Sequence, residues 1–142
     1  MNFGALETAF RATTYRIETP DQNFDLRIGG RNAQFARFLE ISGCREWGVV
    51  TAHNPGGRLA EAPDANEVRN TELEREIRRS GRRFYPTRHC ADRGDWPVES
   101  GFCVLDASLD ALRLLAGRFS QLAFVYGGRD ACPRLCRAEE TA

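Results

Sequence analysis

The chain has 142 residues and a mass of 16.0 kDa, the size of one domain that can bury a core without disulfides or a metal. Its 20 basic and 20 acidic residues cancel, which disfavours nucleic acid and anionic membranes as partners, since both are held by excess positive charge. No apolar run approaches the roughly 18 residues of a membrane span, and the first residues, with Glu7 and no basic cluster, do not read as a secretory signal.

Phe3, Leu6 and Phe10 recur at helical spacing, so residues 1–12 read as a docking helix. Residues 13–18 and 24–28 read as two strands around the turn-rich loop 19–23, and Gly29-Gly30 ends the second. Asn32 is placed to cap a helix carrying the stripe Phe35, Phe38, Leu39, with Gly43 as its stop. Residues 47–52 are apolar on both alternating faces, the pattern of a central strand, and Asn54-Pro55-Gly56-Gly57 halts it. Asp64 and Glu67 suggest a capping box at the start of a helix running to about Ser80. A short strand at 84–89 with Pro86 at an edge or bulge, a buried strand at 101–105, a helix capped by Ser108 and a strand at 122–126 complete the pattern. Residues 13–128 thus form a single α+β (mixed α/β) domain. Its expected core is a mixed six-stranded sheet covered by helices with the third strand central, and residues 129–142 form a polar, loose tail.

Connections fix strand directions. A crossover through a helix returns parallel and a direct connection antiparallel, so strands two, three and four run one way and one, five and six the other. One edge of the sheet then collects Arg31, Thr51, His53, Asn54 and His89 from carboxyl ends, and Glu99, Trp96 and Gln121 from amino ends. Ligand sites favour such crevices. In the middle helix Asn66, Asn70, Leu73 and Ile77 share a face that turns from apolar to polar toward this edge. The two amides either line a pocket or tie down the loop after Asn54.

These residues carry a resemblance. Thr51-Ala52-His53-Asn54-Pro55, Asn66 with Arg69, Trp96-Pro97-Val98-Glu99 and Phe119-Ser120-Gln121-Leu122-Ala123 are similar to the strand end, helix start, Trp-x-Pro-Glu segment and helix end of a family of uncharacterised bacterial proteins, domain of unknown function 3293. The resemblance runs from about Thr14 to Gly127. His53 replaces a larger aromatic, and Gly101 stands where a serine is common. The family implies a bacterial origin and supports the site, but assigns no chemistry.

The chemistry readable from the residues is narrow. Every basic residue is arginine, so no lysine is available for a Schiff base or as a general base. The five cysteines are odd in number, and without an export signal they read as reduced thiols of a cytoplasmic protein. Glu99 is the foremost catalytic acid–base candidate, with His53 second; the competing reading of Glu99 is an ion pair with Arg69 or Arg58. Arg31, Arg58 and Arg69 would hold an anionic ligand, and Thr51, Asn54, Asn66, Trp96 and Gln121 would orient it. The expectation is a pocket for a small polar or anionic metabolite or nucleotide, with catalysis and oligomeric state left open. The rival is a protein-interaction module using an arginine-rich face, including Arg78, Arg79, Arg82 and Arg83. No cofactor is implied. His89, Cys90, Cys132 and Cys136 lack the spacing of a metal set, because adjacent residues rarely chelate one ion and Cys-x₃-Cys is loose.

Overall fold

Caps and turns set the element boundaries. In a computed structural model describing residues 3–59 and 62–139, Asn32 accepts a hydrogen bond from Phe35 N–H and Gly43 closes the same helix in the left-handed region. Ser108 accepts from Ala111 N–H. The elements are α1 (Phe3–Arg11), β1 (Thr13–Glu18), β2 (Asn23–Leu26), α2 (Ala33–Ser42), β3 (Glu46–Thr51), a 3₁₀ turn (Pro55–Gly57), α3 (Pro63–Arg79), β4 (Phe84–Ala91), β5 (Glu99–Leu105), α4 (Leu109–Arg118), β6 (Ala123–Gly128) and β7 (Arg134–Arg137). The expected capping box at Asp64 does not form: α3 begins one residue earlier at Pro63, whose missing N–H suits a first helical position, and no side chain caps it. Among the described residues no helix is long and apolar enough to cross a membrane.

The fold is α+β, with one seven-stranded sheet in the order β2-β1-β4-β5-β3-β6-β7. Every neighbouring pair is antiparallel. Strand directions are those the connections dictate: β2, β3 and β4 oppose β1, β5 and β6. The sheet is nevertheless antiparallel throughout rather than mixed, because the helical crossovers pass over three strands between β2 and β3 and one strand in the other two cases, so no two strands of like direction become neighbours. The central strand is β5 rather than β3. The seventh strand comes from the segment expected to be a loose tail, whose Leu135 pairs with Val125.

The sheet curls until its two ends meet. Gly29 N–H donates to Pro133 O at 2.9 Å and Asn32 N–H to Ala131 O at 3.1 Å. Strand alternation then sorts the core. Tyr15, Ile17, Trp47, Val49, Cys103, Leu105 and Val125 face α2 on one side, around Phe35 and Leu39. Val50, Phe102, Val104 and Phe124 face Leu73, Ile77, Leu112 and Ala116 of α3 and α4 on the other. Helix α1 lies beside the first face. It is tied by Arg27, which donates to Arg11 O at 3.1 Å, and by Tyr15, whose hydroxyl donates to Phe10 O at 3.4 Å.

Candidate functional site

A cavity of about 480 Å³ opens between α1 and the sheet face that carries Tyr15, Val49 and Val125. Alternation puts Glu99 on the same face as Cys103 and Leu105, two and three pleats along β5, so the carboxylate sits at the edge of an otherwise apolar floor. Thr13 and Tyr15 of β1, Thr51 of β3, His89 of β4 and Ala123 of β6 complete the walls, and Ala5, Leu6, Ala9 and Phe10 form the roof. This is the edge where the carboxyl ends of β3 and β4 meet the amino ends of β1, β5 and β6.

The polar head is built around Asn54. Its backbone is held in the left-handed region at φ 49°, which Asn tolerates better than other side chains bearing a Cβ. Its side chain is only 4 % exposed and is satisfied from two directions. Asn54 Nδ2 donates to Glu99 Oε2 at 2.7 Å, while Asn66 Nδ2 donates to Asn54 Oδ1 at 3.0 Å. Asn66 Oδ1 in turn accepts from Asn54 N–H at 2.8 Å and from the Arg69 guanidinium at 2.6 Å. Arg69 also donates through Nε to Ala52 O at 3.1 Å. Trp96 Nε1–H supplies the second donor to Glu99 Oε2, at 2.9 Å. Both amide orientations follow from chemistry, since only an NH₂ can face the carboxylate.

Glu99 therefore has no arginine partner among the described residues. The ion pair with Arg69 or Arg58 does not form, because Arg69 is consumed by Asn66 and the Ala52 carbonyl while Arg58 is exposed outside the cavity. Two donors hold Oε2, and Oε1 accepts nothing from the described residues. A carboxylate so held can accept a hydrogen bond, or a proton, from a bound group.

Thr51, His53, Asn54, Trp96, Glu99 and Gln121 are brought together around the cavity. Asn66 and Arg69 stand behind Asn54 as its supports. Arg31 and Arg58 are not brought in: β2 is the terminal strand, so its end lies away from β3, and Arg58 leaves the 3₁₀ turn into solvent. Thr51 is spent internally, donating to Ser100 O at 2.7 Å and accepting from His53 N–H at 3.0 Å. Gln121 Nε2 donates to His53 O at 3.0 Å and to Phe119 O at 3.3 Å. Asn70, the other amide of the α3 stripe, does not reach the cavity lining, and its buried Oδ1 finds no partner among the described residues.

His53 is half-buried, and desolvation lowers its pKa, with Glu99 opposing and Arg69 reinforcing the shift. The imidazole is thus neutral at physiological pH. His89 was expected at this edge without an assigned role; it lies at the base of the cavity. Burial takes its pKa down to about 3. Its Nε2 lies 2.8 Å from Thr87 Oγ1, and its ring meets Tyr15 edge-on at 5.0 Å. Gly101 makes this possible, because a methyl at that position would fall on the Val50 carbonyl oxygen and 3.0 Å from His89 Cε1. No serine fits there either. Cys103 is fully buried and its thiol is pushed up by desolvation, so it is no nucleophile. Among the described residues no three His, Cys, Asp or Glu side chains are grouped to hold a metal; His89 and Cys90 project to opposite faces of β4.

Sequence reasoning missed the roof of the cavity. The pattern Phe3, Leu6, Phe10 announces a docking helix, but nothing in it says that Ala5, Ala9 and Ala12 face a void. Tyr15 was also missed, because a tyrosine in an alternating strand reads as core.

Residues 50–124 match the family model described as a protein of unknown function (DUF3293). No curated protein and no solved structure matches the chain. The matched segment begins at Val50 and ends at Phe124, so it contains Thr51, Asn54, Asn66, Arg69, Trp96, Glu99 and Gln121 and leaves α1 and β1 outside.

Proposed function

The chain belongs to the DUF3293 family, and from that premise we propose that it binds a small molecule in the cavity roofed by α1, with its polar end at Glu99. One observation carries the reading. A partly buried carboxylate is held at the head of a cavity of about 480 Å³ by Asn54 and Trp96, with no ion-pair partner among the described residues. A purely structural carboxylate in such a place is ordinarily paired, because an uncompensated one costs stability. Retaining it open toward an apolar chamber is the arrangement of a ligand site, with few polar groups fixing orientation and apolar walls supplying affinity.

The rival reading, an interaction module using an arginine-rich face, has less support. Arg78 pairs with Glu74, Arg79 and Arg118 with Glu76, and Arg83 with Asp106. These arginines balance neighbouring carboxylates.

Thermal-shift screening of cationic, neutral and anionic metabolites tests the proposal, with Ala9→Trp as the control that fills the roof of the chamber. Stabilisation of the wild-type chain that Ala9→Trp abolishes supports the site. Equal stabilisation of both chains, or of neither, removes it.

A further inference from the structure

We infer that the ligand is an organic cation, a protonated amine or amidine whose N–H groups face Glu99 and whose apolar body lies under α1; this rests on the cavity being a ligand site. The argument is an inventory of donors and acceptors. Apart from the single ring N–H of His53, the side-chain donors at the polar head are already committed: Asn54 Nδ2 and Trp96 Nε1 to Glu99, and Gln121 Nε2 to two carbonyls. The Thr51 hydroxyl is given to Ser100 O. The oxygens that remain are acceptors. Glu99 and Gln121 both line the chamber, and the Oε1 of neither accepts a hydrogen bond from the described residues. An anion would meet a carboxylate and a carbonyl oxygen, an arrangement that repels it. An N–H cation meets two acceptors, one of them charged.

The remaining charges agree. His53 and His89 are both kept neutral by burial, so the imidazoles add no positive charge to the chamber. Arg93 and Asp95 at the mouth are exposed and of opposite sign. Arg31 and Arg58, the cations that would have recognised an anion, lie elsewhere, and Arg69 is behind Asn66. Trp96, 36 % exposed beside Glu99, lines the chamber, and indole is the side-chain ring that best attracts a cation. Tyr15, Val49 and Val125 receive the body.

The probes are 2-phenylethylammonium, its neutral counterpart 2-phenylethanol and the anion phenylacetate, titrated calorimetrically into the wild-type chain and into Glu99→Gln. The inference expects the ammonium probe to bind most tightly, and Glu99→Gln to weaken it by about tenfold and more than it weakens the alcohol, the effect of losing one charge-assisted contact. If the alcohol or phenylacetate binds as tightly as the ammonium, the cation inference fails and the pocket stands. If the ammonium binds equally to both chains, Glu99 is not its partner and the inference is likewise overturned. If no probe binds, both readings fall. Should Glu99→Gln not fold, the comparison of the three probes on the wild-type chain still decides.

Discussion

Replacing Asn54 with alanine removes the amide that joins α3 to Glu99. The change deletes the 2.7 Å donation to Glu99 Oε2 and the 3.0 Å acceptance from Asn66 Nδ2. A hydrogen bond to a charged acceptor contributes about 1.5–3 kcal/mol, and a neutral one about 1 kcal/mol. Alanine must also hold φ 49° without the local side-chain bonding that eases asparagine into that region, a cost of up to about 1 kcal/mol. Together these predict a loss of about 2.5–5 kcal/mol, seen as a fall in Tm on the order of 10 °C for a chain of this length. Urea unfolding monitored by tryptophan fluorescence measures it directly. Asn54→Gly separates the terms, since glycine adopts positive φ freely and should recover about 1 kcal/mol relative to alanine. A double-mutant cycle with Glu99→Gln should show a coupling of about 1–2 kcal/mol. Asn54→Ala within about 1 kcal/mol of wild type would refute the view that this amide organises the site.

Gly101→Ala and Gly101→Ser should each destabilise by about 3 kcal/mol in the same assay, because a Cβ there meets the Val50 carbonyl and crowds His89. His89 predicts an acid sensitivity of definite sign. Its pKa is depressed in the folded chain to about 3, so it contributes stability above its ordinary value near 6.5 that is lost as pH falls, by about 1.4 kcal/mol per unit between those limits. His53 acts in the same direction, so His89→Gln should flatten the slope between roughly pH 6.5 and 4.5 without abolishing it; an unchanged slope contradicts the assignment. Arg58→Ala and Arg31→Ala should leave unfolding within about 0.5 kcal/mol of wild type, and ligand-induced stabilisation intact, because neither side chain lines the chamber.

How far the sequence reached depended on which physical rule governed each feature. Caps are local chemistry, and Asn32, Gly43 and Ser108 behave as their side chains dictate. The parity of connections fixes strand direction, so the edge that gathers Thr51, Asn54, Glu99 and Gln121 is legible in the sequence. Parity does not fix neighbour order, however. That is why Arg31, which follows the carboxyl end of the terminal strand β2, lies away from the cavity. The strand β7 was hidden because its four residues include two arginines and only Leu135 and Cys136 signal burial. The partners of Glu99 were hidden for a related reason. Charge complementarity favoured an arginine, but the register that brings Asn54 and Trp96 to Oε2 belongs to the tertiary fold.

The two tryptophans provide the most direct test of the central claim. Trp96 Nε1–H donates to Glu99 at the cavity head, whereas Trp47 Nε1–H is fully buried and donates to Gly128 O at 2.9 Å near the opposite end of β3. Their indole N–H resonances can be followed in ¹⁵N-labelled protein while cationic, neutral and anionic small molecules are titrated in. The account predicts that a binding compound moves the Trp96 signal saturably and leaves Trp47 in place. A panel in which Trp96 never moves, or in which both signals always move together, would contradict it.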